Sequence, residues 1–203
     1  MALVVCAKTL LHCLAGLDTL DSGQVRIGAT DLGGLSDAAL TRLRRERIGF
    51  IFQSFNLLPT MTAEDNILLG LHLAGLRPDR AWFDEIVAVL GLGSRLRHRP
   101  GELSGGQQQR VACARALVGK PEVVFADEPT GSLDSRAGAE VLDFLRASVR
   151  DYGQTVVMVT HDPVAASYAD EGVLLADGRA AAHLKQSACD GGFATLVARE
   201  ATA

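Results

Sequence analysis

The apolar positions of this 203-residue chain change their period several times, and each change marks an element. Leu10, Leu11, Leu14 and Leu17 recur at helical spacing and predict a short buried helix. Gln24-Val25-Arg26-Ile27, set between Ser22-Gly23 and Gly28, reads as a strand. Ser36 is placed to cap a polar helix from about Asp37 to Arg47, with Leu40 and Leu43 as its apolar positions. Ile48-Gly49-Phe50-Ile51-Phe52 is almost continuously apolar and predicts a buried strand that delivers Gln53 to a loop. From about Met61 to Val118 the period is mostly helical, broken at 75–78, at 91–93 and at Pro100-Gly101.

Beyond that helical stretch the alternation of strand and helix returns. Residues 122–126 read as a strand, and 136–151 as a helix with Val141, Leu142, Leu145 and Val149 on one face. Thr155-Val156-Val157-Met158-Val159-Thr160 is another strand, rich in β-branched residues. Runs this apolar suit a parallel sheet covered on both faces. Val173-Leu174-Leu175-Ala176 followed by Asp177-Gly178 predicts a terminal hairpin, and the residues from about Ala188 read as a last helix. The expected architecture is therefore α/β: one domain over 1–203, with a parallel-sheet core and a helical lobe over about 61–118 inserted between its strands.

Composition narrows the function classes. A hydrophobic fraction of 48% with 22% charged residues is that of an ordinary folded domain. The net charge of −4 argues against general nucleic-acid binding, which needs a basic face. The run Arg42, Arg44, Arg45 and Arg47 reads as a solvated helix face. Cys6, Cys13, Cys113 and Cys189 lack metal-ligand or paired spacing and read as reduced thiols of a cytosolic protein. No apolar run approaches the roughly 18 residues that span a bilayer. The opening Met1–Leu17 is split by Lys8 and has no basic leader, so a signal peptide is not expected and any membrane role must come through a partner.

The chemistry concentrates in four places. Val123-Val124-Phe125-Ala126-Asp127-Glu128 is a strand ending in two carboxylates. One is suited to a Mg²⁺-bound phosphate and the next to an attacking water. Such a pair can also simply cap a turn, but Pro129-Thr130-Gly131 and Ser132-Leu133-Asp134 follow it directly. Leu103-Ser104-Gly105-Gly106-Gln107-Gln108-Gln109-Arg110-Val111-Ala112 opens a helix whose glycines permit close backbone approach and whose N–H groups favour an anion. A bare Ser-Gly-Gly would be an ordinary capping turn; ten residues in one pattern are not. Gln53, just after a strand, is placed to reach a metal or a water, and His161, after Thr155–Thr160, to hydrogen-bond a γ-phosphate.

With these motifs in this order, the chain resembles the ATP-binding subunit of an ABC transporter from about Thr9 to Arg179. The resemblance implies a P-loop NTPase (RecA-like) core, ATP and Mg²⁺ as cofactors, and ATPase activity. It places the catalytic roles on Glu128 (general base), His161 (switch histidine) and Gln53 (Q-loop). It places Mg²⁺ on Asp127 and Gln53. Nucleotide contacts would fall to Lys8, Thr9, the signature residues Ser104, Gly105, Gly106 and Gln107, and the D-loop residue Asp134. Phe52-Gln53-Ser54-Phe55-Asn56-Leu57-Leu58-Pro59-Thr60-Met61-Thr62-Ala63 further resembles the branch that powers lipoprotein release and macrolide or peptide export. The implied partners are transmembrane permease subunits and a second ATP-binding subunit, paired head to tail. The implied location is cytoplasmic, peripheral to the inner face of the cell membrane.

One expected feature is incomplete. The family carries G-x-x-x-x-G-K-[ST], whose backbone N–H groups cradle the phosphates. Here the chain reads Met1-Ala2-Leu3-Val4-Val5-Cys6-Ala7-Lys8-Thr9-Leu10-Leu11, with no glycine before Gly16. Lys8-Thr9 imitates the motif's end, either as its remnant or by chance. The family's preceding strands and adenine-stacking aromatic have no counterpart. Losing three or more charge-assisted hydrogen bonds at ~1.5 kcal/mol each amounts to ~4–5 kcal/mol, about a thousandfold in affinity. Three accounts stay open: a wrong start or frameshift, a decayed copy, or a non-catalytic partner that supplies only its signature in trans. A soluble ATPase of DNA repair or translation is a more distant reading. The absence of a long heptad segment argues against repair, and a single copy of each motif against tandem translation factors.

Overall fold

The computed structural model describes residues 2–5, 8–176 and 178–185. In chain order the elements are β1 (Ala2–Val5), α1 (Lys8–Leu14), β2 (Arg26–Ile27), β3 (Thr30–Asp31), α2 (Asp37–Arg47) and β4 (Ile48–Phe52). Three helices follow, α3 (Ala63–Leu73), α4 (Arg80–Val89) and α5 (Gly105–Leu117). The chain then alternates: β5 (Val123–Asp127), α6 (Ser135–Tyr152), β6 (Thr155–Val159), α7 (Pro163–Ala166), β7 (Glu171–Ala176) and β8 (Arg179–Lys185). Six strands form one sheet in the order β4-β5-β6-β1-β7-β8, parallel except for the β7–β8 hairpin.

Period-two alternation explains why the sheet is covered on both faces. Val123, Phe125, Val157 and Val159 join Leu11, Leu43 and Ile48 in one buried cluster. Val124, Ala126, Val156 and Met158 join the apolar residues of α3 to α6 in the other. Each large apolar side chain among them withdrawn from water contributes roughly 1.5–3 kcal/mol, and Ala126 less. β4 packs against α5 so closely that a Cβ on Gly49 would collide with the carbonyl oxygen of Ala116. Only glycine fits there.

Most expected elements appear within a residue or two, including Ser36 as the cap of α2, where it accepts from Ala39 N at 3.4 Å. Four expectations need correction. The first helix stops at Leu14, and Leu17 is 43% exposed. Gly16 (φ 64) turns the chain there, with Leu17 N donating to His12 O at 2.8 Å. The strand expected over 24–27 shrinks to a two-residue ladder with β3, because Gly28 (φ 58) already turns the chain back.

The third correction concerns the arginine run on α2, which is not simply a solvated face. Arg47 holds Glu122 through two bonds of 2.6 and 2.7 Å and also donates to Ile27 O and Thr30 Oγ1, tying the β2–β3 ladder to the sheet. Arg44 and Arg45 donate to Gly16 O and Leu73 O. The fourth is at the start of the chain, expected to lack strands: Ala2–Val5 forms β1, hydrogen-bonded in parallel between β6 and β7. The helix expected from about Ala188, together with Cys6, Cys189 and Asp177, lies outside the described residues. Cys13 and Cys113 are buried free thiols, and burial pushes Cys113 up to about 12.

Candidate functional site

Four parallel strands end on the same edge of the sheet, the place where open α/β sheets take their ligands. Past β1 the chain reaches Lys8, the first residue of α1; β4 hands on Gln53; β5 ends at Asp127 and leads to Glu128; β6 leads to Thr160 and His161. Two of these strand ends converge on the Lys8 ammonium that follows the first. Lys8 Nζ lies 3.4 Å from Asp127 Oδ2 and 3.4 Å from Gln53 Oε1. The sheet order carries Lys8 to the carboxylate. Thr9 follows it in α1 and is exposed.

Asp127 is 8% exposed, and its Oδ1 has no hydrogen-bond partner among the described residues. A buried carboxylate oxygen left over in this way fits a cation held jointly by protein and ligand. Among the described residues no group of three or more His, Cys, Asp or Glu could hold a metal by itself. Mg²⁺ does not need one, since it commonly takes one or two protein ligands and completes its shell with phosphates and water. The donor set Asp127 and Gln53 suits that arrangement.

Glu128 is 7% exposed and has a left-handed backbone (φ 46), anchored by Glu128 N donating to Val159 O at 3.0 Å. Strain of this kind persists only where the surroundings over-determine it. Its Oε1 faces His161 Nδ1 at 2.7 Å and accepts from His161 N at 3.2 Å; its Oε2 accepts from Thr160 Oγ1 at 3.2 Å. The hydrogen bond to Glu128, and then its negative charge, hold the His161 pKa above the ordinary histidine value. The His161 side chain is otherwise 87% exposed.

The signature residues sit apart from this cluster in their bonding. Ser104 caps α5 and is exposed; its Oγ accepts from Gln107 N at 3.3 Å while Gln107 Oε1 accepts from Ser104 N at 2.9 Å. Gly105 and Gly106 form the first turn. Asp134 caps α6, accepting from Arg136 N and Ala137 N at 3.1 and 3.0 Å. Two helices thus present polar N-termini, and neither is joined by a hydrogen bond to Lys8 or Asp127 among the described residues. Sequence reasoning missed Thr160, whose position directly before His161 was the available signal. It also gave no separate role to Gln109, quoted only within the ten-residue signature stretch and found fully buried.

Against known families, residues 8–131 match ABC transporter. The chain belongs to the ABC transporter ATP-binding family. It is 48% identical over 177 residues to the lipoprotein-releasing system ATP-binding protein LolD of Geobacter metallireducens, covering 86% of this chain and 79% of that one. It is 46% identical over 173 residues to the macrolide export ATP-binding/permease protein MacB of Marinobacter nauticus, covering 84% of this chain but only 27% of that longer protein. Its fold matches the ATP-binding cassette MJ0796, a dimer in a post-hydrolysis state with ADP and Pi, at TM-score 0.81 and 35% identity, covering 92% of this chain and 85% of that one. An ABC ATP-binding domain of the P-loop NTPase fold accounts for the strand order and for the convergence at Lys8. Among the described residues no helix is long and apolar enough to cross a membrane.

Proposed function

We propose that this chain is the ATP-hydrolysing subunit of a transporter of the lipoprotein-release or macrolide-export type, a single cassette domain with its helical lobe over about 61–118. It works as a head-to-tail dimer on permease subunits at the cytoplasmic face of the membrane. The observation that carries the reading is the approach of Lys8 Nζ to Asp127 Oδ2 and Gln53 Oε1, each at 3.4 Å. Lys8 neutralises β- and γ-phosphate oxygens, with Thr9 beside it. Asp127 and Gln53 would hold Mg²⁺, which would neutralise charge developing on the transferred phosphoryl group.

Hydrolysis joins a water oxygen to the γ-phosphorus and breaks its bond to the bridging oxygen, leaving ADP and Pi. Glu128 orients that water and takes its proton. For this its carboxylate must turn from His161 and Thr160, which now occupy both of its oxygens. His161, with Nδ1 engaged by Glu128, has Nε2 as its remaining polar atom for a γ-phosphate oxygen. Ser104 to Gln107 and Asp134 serve the nucleotide held by the facing subunit.

The test is saturable Mg-ATP binding and phosphate release by the 203-residue chain, with binding abolished in Lys8→Ala. A second reading, a partner that lends only its signature in trans, is favoured by the absence of glycine before Lys8 and by the exposed, self-capped Ser104. Tight Mg-ATP binding by the isolated chain would rule that out.

A further inference from the structure

The loop between β4 and α3 holds two consecutive non-glycine residues in the left-handed region, Phe55 (φ 59) and Asn56 (φ 49). That region is disfavoured for L-residues, least so for asparagine, and two in succession need an outside hold. One guanidinium supplies it. Arg115 Nη1 donates to Asn56 O at 2.5 Å, and Arg115 Nη2 donates to Phe55 O at 2.7 Å. A planar fork with fixed donors suits two adjacent carbonyls, which a lysine ammonium cannot match. Burial holds the Arg115 pKa below the usual arginine range, so this cation has exchanged water for those oxygens.

Arg115 stands on α5, the helix that begins at the signature. The same loop is fastened once more, to the turn after β5, and its Phe55 ring lies beside the start of that helix. Ser132 Oγ donates to Gln53 O at 2.9 Å, and a Cβ on Gly105 would stand 3.8 Å from Phe55 Cζ. The turn that aims Gln53 is therefore held to the signature helix through Arg115 and to the turn after β5 through Ser132.

We propose that Arg115 is a positioning residue that locks the Gln53–Asn56 turn to the signature helix. Gln53 in this subunit's own site and Ser104–Gln107 on its outer face then shift as one body. The functional half of this inference rests on the ATP-site reading above; the lock itself rests on the hydrogen bonds.

The test is amide hydrogen exchange on the full chain without nucleotide. The probes are the amides of Phe55 and Asn56, which donate to Phe52 O and Ser54 O. Arg115→Gln is expected to speed exchange at these amides about tenfold or more, with the β5 amides unchanged. Arg115→Lys recovers part of the protection. Adding Asn56→Gly to Arg115→Gln recovers more, because glycine needs no help at positive φ. A role in packing alone would not be rescued in this way.

Unchanged exchange at Phe55 and Asn56, equal acceleration in β5, or no rescue by glycine would each overturn the lock. In a second arm, Arg115→Gln is expected to lower kcat for Mg-ATP about tenfold while KM moves less. A wild-type chain that fails to turn over ATP would defeat the ATPase reading, and the exchange data would still decide the lock.

Discussion

The Gln109 side-chain amide, fully buried in α5, donates to the carbonyl oxygen of Pro129 at 2.7 Å. It joins the helix behind the signature to the turn that carries Glu128. Pro129 is itself fully buried, away from water, and Gln109 supplies a donor to its carbonyl. Gln109→Ala leaves that oxygen unpaired and opens a cavity. It is expected to cost about 2–4 kcal/mol, read as a lower urea midpoint with an unchanged m-value. A midpoint equal to wild type would mean the bond is replaceable.

Glu128→Gln keeps the size of the side chain and an oxygen that can accept from Thr160, but it cannot take a proton from water. ATP turnover is expected to fall by about 10²–10⁴ while Mg-ATP binding persists. Phosphate release and equilibrium binding measured on the same preparation separate the two effects. Undiminished turnover would remove Glu128 from the role of base.

The raised pKa of His161 has a definite sign. Its pairing with Glu128 is complete below the unfolded histidine value and weakens as pH rises through the higher folded value. In an NMR titration of the ring the midpoint is expected above about 6.5, and Glu128→Gln is expected to lower it. A midpoint at the ordinary value in the wild-type chain would mean that the 2.7 Å contact does not persist in solution.

Asn66 is fully buried in α3 and serves both polar groups of Leu58: it accepts from Leu58 N at 2.7 Å and donates to Leu58 O at 3.1 Å. It also donates to Met61 O and Thr62 O, at 3.3 and 2.9 Å. Asn66→Ala takes the side-chain partner from Leu58 N and Met61 O, while Leu58 O and Thr62 O keep the backbone donors Met61 N and residue 66 N. The expected loss is about 2–4 kcal/mol in thermal or urea unfolding, accompanied by faster exchange of the Leu58 amide. A change below about 0.5 kcal/mol would show that water replaces the side chain.

The strands and helices were legible because their signals are local. The period of 48–52 and 155–159, the Ser36 and Ser104 caps and the order of Gln53, signature, carboxylates and His161 are all written within short windows of sequence. The family could be read for the same reason. The arginines of α2 could not, since a charged run on a helix looks solvated until a β2–β3 ladder and Glu122 are brought to it.

By itself, then, the sequence determined the α/β alternation, the two-sided burial of the sheet and the family's motifs, all of which follow from side-chain period and chain order. Tertiary structure decided which of those motifs meet. Placing β1 between β6 and β7 sets the start of α1 beside the end of β5, and that alone turns an unexplained Lys8-Thr9 into a lysine at Asp127. It also decided that Thr160 and His161 occupy Glu128 and that Gln109 and Arg115 fasten the loops beneath them. Such contacts join residues dozens of positions apart, and strand order, which local periodicity does not encode, is what brings them within hydrogen-bond reach.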